Sequence, residues 1–189
     1  MKKTFMTLVA AAALMFAACG GSTTNNGTAE SGNAAESKAA PAEEPIWPVD
    51  ASAKLDKTFD HEKFTMKYPA SLGDNIESIS TFCFYDSDEV VNLRGDVFDF
   101  KLAIDLKTYA SSYDTFFKSQ DCPNYDEPVV KDKRGFVVRG KNDKKTVYVF
   151  MVLKDENGGG VSGQFEYPNA QAAEYDKTVG AIINSIKFK

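Results

Sequence analysis

The chain has 189 residues, a formal net charge of −5, 43% hydrophobic and 26% charged side chains. That length leaves room for one domain of ordinary size besides any targeting segment. The acidic balance argues against nucleic-acid binding by phosphate neutralisation, and with one histidine and three cysteines, Cys19 among them at the end of the leader, the chain does not easily supply the several ligands of a zinc site.

The first segment carries an address. Lys2 and Lys3 precede an apolar run over residues 5–18 broken only by Thr7. A basic start, a short apolar core and small residues at the end make a secretory signal. The run falls short of the roughly 20 residues a membrane span needs. Phe16-Ala17-Ala18-Cys19 resembles the bacterial lipoprotein signal, with Phe16 where leucine is usual. The resemblance implies cleavage after residue 18 and a thioether-linked diacylglycerol on Cys19, often with an amide-linked acyl chain; two or more chains anchor a protein stably. An ordinary secretory cut near Ala18 is the other reading. Loss of Lys2 and Lys3 with the leader takes the formal charge from −5 to −7. Gly20 is not the retention aspartate of enteric lipoproteins, and residues 22–28 lack a surface-export acidic cluster. The expected location is therefore the bacterial cell envelope, lipid-anchored and periplasm-facing, on the outer or the inner membrane.

Residues 19–48 read as the lipidated cysteine and a flexible linker, rich in Gly, Ser, Thr, Asn, Ala and Glu. Such a segment buries too little surface to offset its ordering entropy, and as a coil it reaches roughly 30 Å. Trp47 either docks on the domain or hangs free in the tail. The folded domain is expected over residues 49–189.

Within it, Phe64, Met66 and Tyr68 alternate with polar neighbours, as in a half-buried strand. Residues 76–85 alternate with a slip in phase between Ile79 and the pair Phe82 and Phe84. Residues 97–106 give the clearest strand pattern, with Phe98, Phe100, Leu102, Ile104 and Leu106 on one face. Further strands are expected at 129–130, 136–138, 146–153 and 161–167, with turns at Arg134-Gly135 and Asn142-Asp143. Tyr109, Tyr113, Phe116 and Phe117 predict a helix over 109–120. Ala172, Tyr175, Val179, Ile182, Ile183 and Ile186 predict a second over 169–185, with Asn169 as its N-cap and Gly180 packed closely on the sheet. The sum is an α+β domain, a mainly antiparallel sheet packed by helices.

Two stretches resemble the PsbP-like domain, including bacterial lipoproteins of the DcrB type. Residues 64–70 are similar to its early strand ending in proline. Tyr175-Asp176-Lys177 through Ile182-Ile183-Asn184-Ser185-Ile186-Lys187-Phe188 is similar to its closing helix and terminal strand. The usual Gly-Trp after the early proline is replaced by Ala70-Ser71. The resemblance covers most of residues 60–188. It implies an α/β/α sandwich and a binding or assembly accessory, and transfers no catalytic residue.

The remaining chemistry is sparse. His61 between Asp60 and Glu62 suggests a metal or acid–base site, but strand neighbours point to opposite faces, so a surface histidine is expected. Asp86, Asp88 and Glu89 lack the spacing of a helix-loop-helix calcium loop and read as a solvated turn, as do Asp121, Asp126 and Glu127. Cys83 and Cys122 form either a disulfide, which export permits, or two buried free thiols. A catalytic cysteine lacks a histidine base, and a hydrolase triad would rest on His61 alone. No cofactor or metal is expected. The expected function is that of a non-enzymatic envelope lipoprotein binding a protein or aiding assembly. The alternative is a small-ligand carrier with an aromatic-lined groove, and a hydrolytic enzyme stands third.

Overall fold

Alternating burial sets the strands of this chain. The computed structural model describes residues 44–155 and 158–189. In chain order its elements are β1 (Lys57–Asp60), β2 (Phe64–Tyr68), β3 (Asp74–Glu77), β4 (Thr81–Tyr85) and β5 (Asn92–Phe98). Then come α1 (Leu106–Ser111), α2 (Asp114–Ser119), β6 (Asn124–Tyr125), β7 (Val129–Lys131), β8 (Gly135–Lys141), β9 (Lys145–Leu153) and β10 (Gly160–Pro168). A 3-10 turn at Asn169–Gln171 leads into α3 (Ala172–Asn184), and β11 (Lys187–Phe188) closes the chain. An eight-stranded antiparallel sheet runs β3-β4-β5-β10-β9-β8-β6, with β7 also on β8; β1, β2 and β11 form a small second sheet.

The large sheet separates two cores. On one face Phe82, Phe84, Leu93, Phe150, Phe165 and Tyr167 meet α3 and the inner face of the small sheet. On the other face Phe136, Val138, Val147, Val149 and Met151 meet Ala110 of α1 and Phe117 of α2. Period-two alternation makes this possible: β8 and β9 each present one apolar set to each layer. Phe117 settles on β8 at Gly140, where a Cβ would overlap its ring.

Several expectations change. The strand expected over 97–106 is β5, which lies at Asn92–Phe98. Its partner β10 begins at Gly160, paired with Phe98, so the chain beyond has no ladder to join. Phe100 is 64% and Ile104 47% exposed there. Asp105 then starts α1: its carboxylate accepts the Thr108 N–H at 2.9 Å and the Thr108 hydroxyl at 2.7 Å. The helix expected over 109–120 is two short helices with Tyr113 at their junction. The phase slip in 76–85 is the turn between β3 and β4, with Ile79 at its exposed tip.

α3 has the predicted stripe: Tyr175, Val179, Ile182, Ile183 and Ile186 are buried. It packs on β2, β9 and β10, not on a strand over 97–106. Asn169 does not cap it. Its amide oxygen accepts the Thr146 hydroxyl at 2.9 Å and its amide nitrogen donates to the Asn142 carbonyl at 2.7 Å, pinning the β8–β9 turn instead.

The folded unit also takes in residues before Val49. Ile46 is buried in the main core, and Trp47 meets the Tyr148 ring edge-on at 5.6 Å. The Asn184 side chain grips this strap by its backbone, accepting the Ile46 N–H and donating to the Trp47 carbonyl, both at 2.8 Å. Gly180 is accounted for here: a Cβ on it would overlap the Pro48 carbonyl oxygen. The close packing is against the strap rather than the sheet. The leader, Cys19 and the linker through residue 43 lie outside the described residues.

Candidate binding site

The helices α1 and α2 cover the β8–β9 side of the large sheet and leave the β4-β5-β10 side open. Strand register tiles that open face in three rows. Thr81, Asp96 and Ser162 lie side by side, then Cys83, Arg94 and Gln164, then Tyr85, Asn92 and Glu166. Every position in the tiling carries a hydrogen-bonding or thiol group. The opposite faces of the same strands are apolar or glycine, so the alternation is kept and only its outward half is polar. Tyr113 and Phe116 stand along one side as a wall, and the groove between measures about 420 Å³, within the usual size of small-molecule sites.

A polar chain fixes the floor. Arg94 Nη2 donates to Gln164 Oε1 at 3.0 Å, and Gln164 Nε2 donates to Glu166 Oε2 at 3.0 Å. Lys145 Nζ donates to Glu166 Oε1 at 3.0 Å and to Gln120 Oε1 at 3.2 Å. Gln164 is only 8% exposed, and both ends of its amide are engaged, as a buried polar group requires. Arg94 is thereby held from beneath while its side chain stays exposed. Burial and the neighbouring Tyr109 push the Tyr113 phenol well above its usual range, and contact with the Cys83 thiol raises that of Tyr85; both are neutral donors at physiological pH. Grooves of about 440 Å³ beside Ser71 and Lys177 and about 480 Å³ beside Lys67 and Asn184 show no comparable buried network among the described residues.

The residues singled out in the sequence are dispersed. His61 is 3% exposed, not a surface residue. It shares the inward phase of Phe59, lies 5.2 Å from the Phe64 ring, and its Nδ1 accepts the Lys63 N–H at 3.3 Å. Asp60 turns outward to Lys189 at 2.6 Å, so the three residues do not converge. Asp86 accepts the N–H groups of Val90 and Val91, both at 2.9 Å, and holds a turn. Asp126 sits 3.9 Å from Arg139.

Cys83 and Cys122 are free thiols. Cys83 lies half-buried on the shelf, whereas Cys122 is buried behind α2, where desolvation raises its thiol pKa. Strands β5 and β10 stand between β4 and the side that α2 covers, beyond the roughly 7 Å between Cα atoms that a disulfide can span. Of the two alternatives left open by the sequence, the structure has the two free thiols.

Of the aromatics expected to line either a core or a groove, Tyr113, Phe116 and Tyr85 line this one, Phe82 is buried yet also borders it, and Phe84 and Phe117 are core. Arg94 and Asp96 lie before the strand expected from residue 97, because β5 begins at Asn92; Gln164 falls within an expected strand, but its neighbours across the sheet are set by tertiary pairing. The alternation of Ser162, Gln164 and Glu166 with Val161, Phe165 and Tyr167 was the available signal.

Neither a family model nor a curated protein matches the chain. Among solved structures, the cyanobacterial PsbP (CyanoP) from Synechocystis sp. PCC 6803 matches with a TM-score of 0.51 at 9% identity, over 76% of this chain and 99% of that one. A Bacteroides thetaiotaomicron crystal structure matches with a TM-score of 0.39 at 15% identity over 67% of this chain. This chain spans less than half of that one, 45% of its length. The fold is therefore the PsbP-like α+β fold, an antiparallel sheet packed by helices.

Proposed function

We propose that this chain is a non-enzymatic accessory protein, tethered to the bacterial envelope through lipid on Cys19, whose folded unit binds a polar ligand on the β4-β5-β10 shelf. The observation that carries the reading is the shelf itself, a polar tiling left open by the helices and braced by the Arg94–Gln164–Glu166–Lys145 chain. The tether rests on the leader pattern at residues 1–19. Docking of an envelope protein is the second reading, favoured by Phe100 and Ile104, both exposed in the segment between β5 and α1; solvent-facing apolar side chains suit a protein contact.

A photoreactive benzoylphenylalanine at Thr81, on the shelf, is compared with one at Lys177, on the outer side of α3, in cells making the full chain. Discrete adducts from Thr81 and none from Lys177 are expected. Equal or absent labelling at the two positions would remove the shelf from the proposal. In parallel, Cys19→Ser should move the protein from the membrane to the soluble fraction; retention in the membrane would remove the tether.

A further inference from the structure

The charges on the shelf limit what it can hold. Arg94 is flanked by Asp96 two residues along β5, on the same face, and by Glu166 in the next row on β10. A phosphate or sulfate there would meet the Asp96 carboxylate beside the one guanidinium, Glu166 being already paired with Lys145 at 3.0 Å. An amine would meet Arg94. Either charge gains little from a site whose own charges oppose one another. A neutral ligand that both donates and accepts hydrogen bonds uses both signs at once.

The geometry adds two features. Successive same-face residues on a strand lie about 6.6 Å apart, so Arg94 and Asp96 present an arginine fork and a two-oxygen carboxylate side by side. Asp96 makes no ion pair and accepts no side-chain hydrogen bond among the described residues, while Arg94 is steadied by Gln164 alone. The hydroxyls of Thr81 and Ser162 flank Asp96 on either side. Along the edge, Phe116 and Tyr113 offer aromatic surface to the groove. An aromatic face carries partial negative charge and attracts the weakly positive C–H groups of an apolar patch.

We infer that the shelf is a binding site for a neutral saccharide. This rests on the reading of the shelf as the recognition surface. Two vicinal hydroxyls donate to the two carboxylate oxygens of Asp96, in the bidentate manner in which a carboxylate meets paired donors. A ring or neighbouring hydroxyl oxygen accepts from the free edge of Arg94. The C–H face of the sugar ring lies against Phe116. Hydrogen bonds to charged groups make Asp96 and Arg94 the discriminating contacts, and the aromatic wall sets the ring's orientation.

The full chain is tested by saturation-transfer NMR with cellotetraose and chitotetraose as neutral probes and tetragalacturonate as the anionic one. Both side chains are exposed, so Asp96→Ala and Arg94→Gln can be checked for native melting by circular dichroism. At least one neutral probe should receive saturation, strongest on its ring C–H protons, and should bind more tightly than tetragalacturonate. Asp96→Ala and Arg94→Gln should each weaken it about tenfold or more, and Phe116→Ala should erase the ring C–H bias. Three results overturn the inference: no saturation of either neutral probe, equal or stronger binding of tetragalacturonate, or unchanged binding in the Asp96→Ala chain. If Thr81 still gives specific photo-adducts in any of these cases, the shelf stands and the saccharide class falls. If the adducts fail too, the shelf itself is not the site.

Discussion

At Gly180 a missing methyl group lets two distant segments cross. The strap at residues 44–48 runs over α3 with the Pro48 carbonyl against the Gly180 backbone, and Asn184, one turn later, holds the strap's own N–H and C=O groups. Ala at position 180 would gain about 1 kcal/mol of helix propensity but would drive a Cβ into fixed backbone, and overpacking of that kind costs about 1–3 kcal/mol. We expect Gly180→Ala to be net destabilising in urea titrations. Its single tryptophan should also shift its emission to the red as Trp47 leaves the Tyr148 ring. Unchanged emission and an unchanged midpoint would show that the strap does not depend on this crossing. The glycine was visible in the sequence as a helix interruption. Its partner was not, because the partner is a backbone atom from a segment that composition alone assigns to a linker.

Among elements, α3 was the most legible, whereas β5 was expected too far along the chain. The spacing of Tyr175, Val179, Ile182, Ile183 and Ile186 marks one helix face, and those side chains are buried. Ile182→Ala should cost about 2–5 kcal/mol by loss of buried methyl groups and the cavity left behind. The exposed Lys177→Ala should cost less than about 0.5 kcal/mol. Equal small losses in chemical denaturation would mean the helix is not docked by this face. For β5 the alternation from Phe98 to Leu106 was genuine but misleading. A strand needs a partner as well as a pattern, and β10 ends its pairing at Phe98, while Asp105 captures the next turn as a helix. The shelf was missed for the same reason, since its Arg94 and Asp96 sit on the strand whose position was misread.

For the molecule as a whole, acid should act first at the strap. Hydrogen bonding and charge from Lys131 hold the Glu44 carboxyl below its usual range. The Thr108 N–H and hydroxyl do the same for Asp105, and Lys118 with Tyr125 for Asp114. A carboxylate whose folded pKa is depressed contributes stability that is complete above its unfolded pKa and is lost as pH falls through the folded one. Stability from these groups should thus be flat from neutral pH to about pH 5 and decline below about pH 4. Glu44 fastens the strap to Lys131 at 2.8 Å and, through its carbonyl, to Arg134. Trp47 emission should therefore shift at a higher pH than the loss of far-UV circular dichroism. Coincident loss of both signals would tie the strap to global unfolding.

The sequence by itself determined the α+β class, the antiparallel character, the final helix with its buried face and the turns at Arg134-Gly135 and Asn142-Asp143. These follow from local periodicity and from turn chemistry, which each segment carries alone. Tertiary structure decided where β5 ends, that the first helical region breaks at Tyr113, that His61 is buried and that Ile46 and Trp47 belong to the fold. It also decided that Cys83 and Cys122 stand apart and that Arg94, Asp96, Ser162 and Gln164 share one face. Each of these depends on which strand lies beside which, and strand partners separated by some 70 residues leave no mark in any local window.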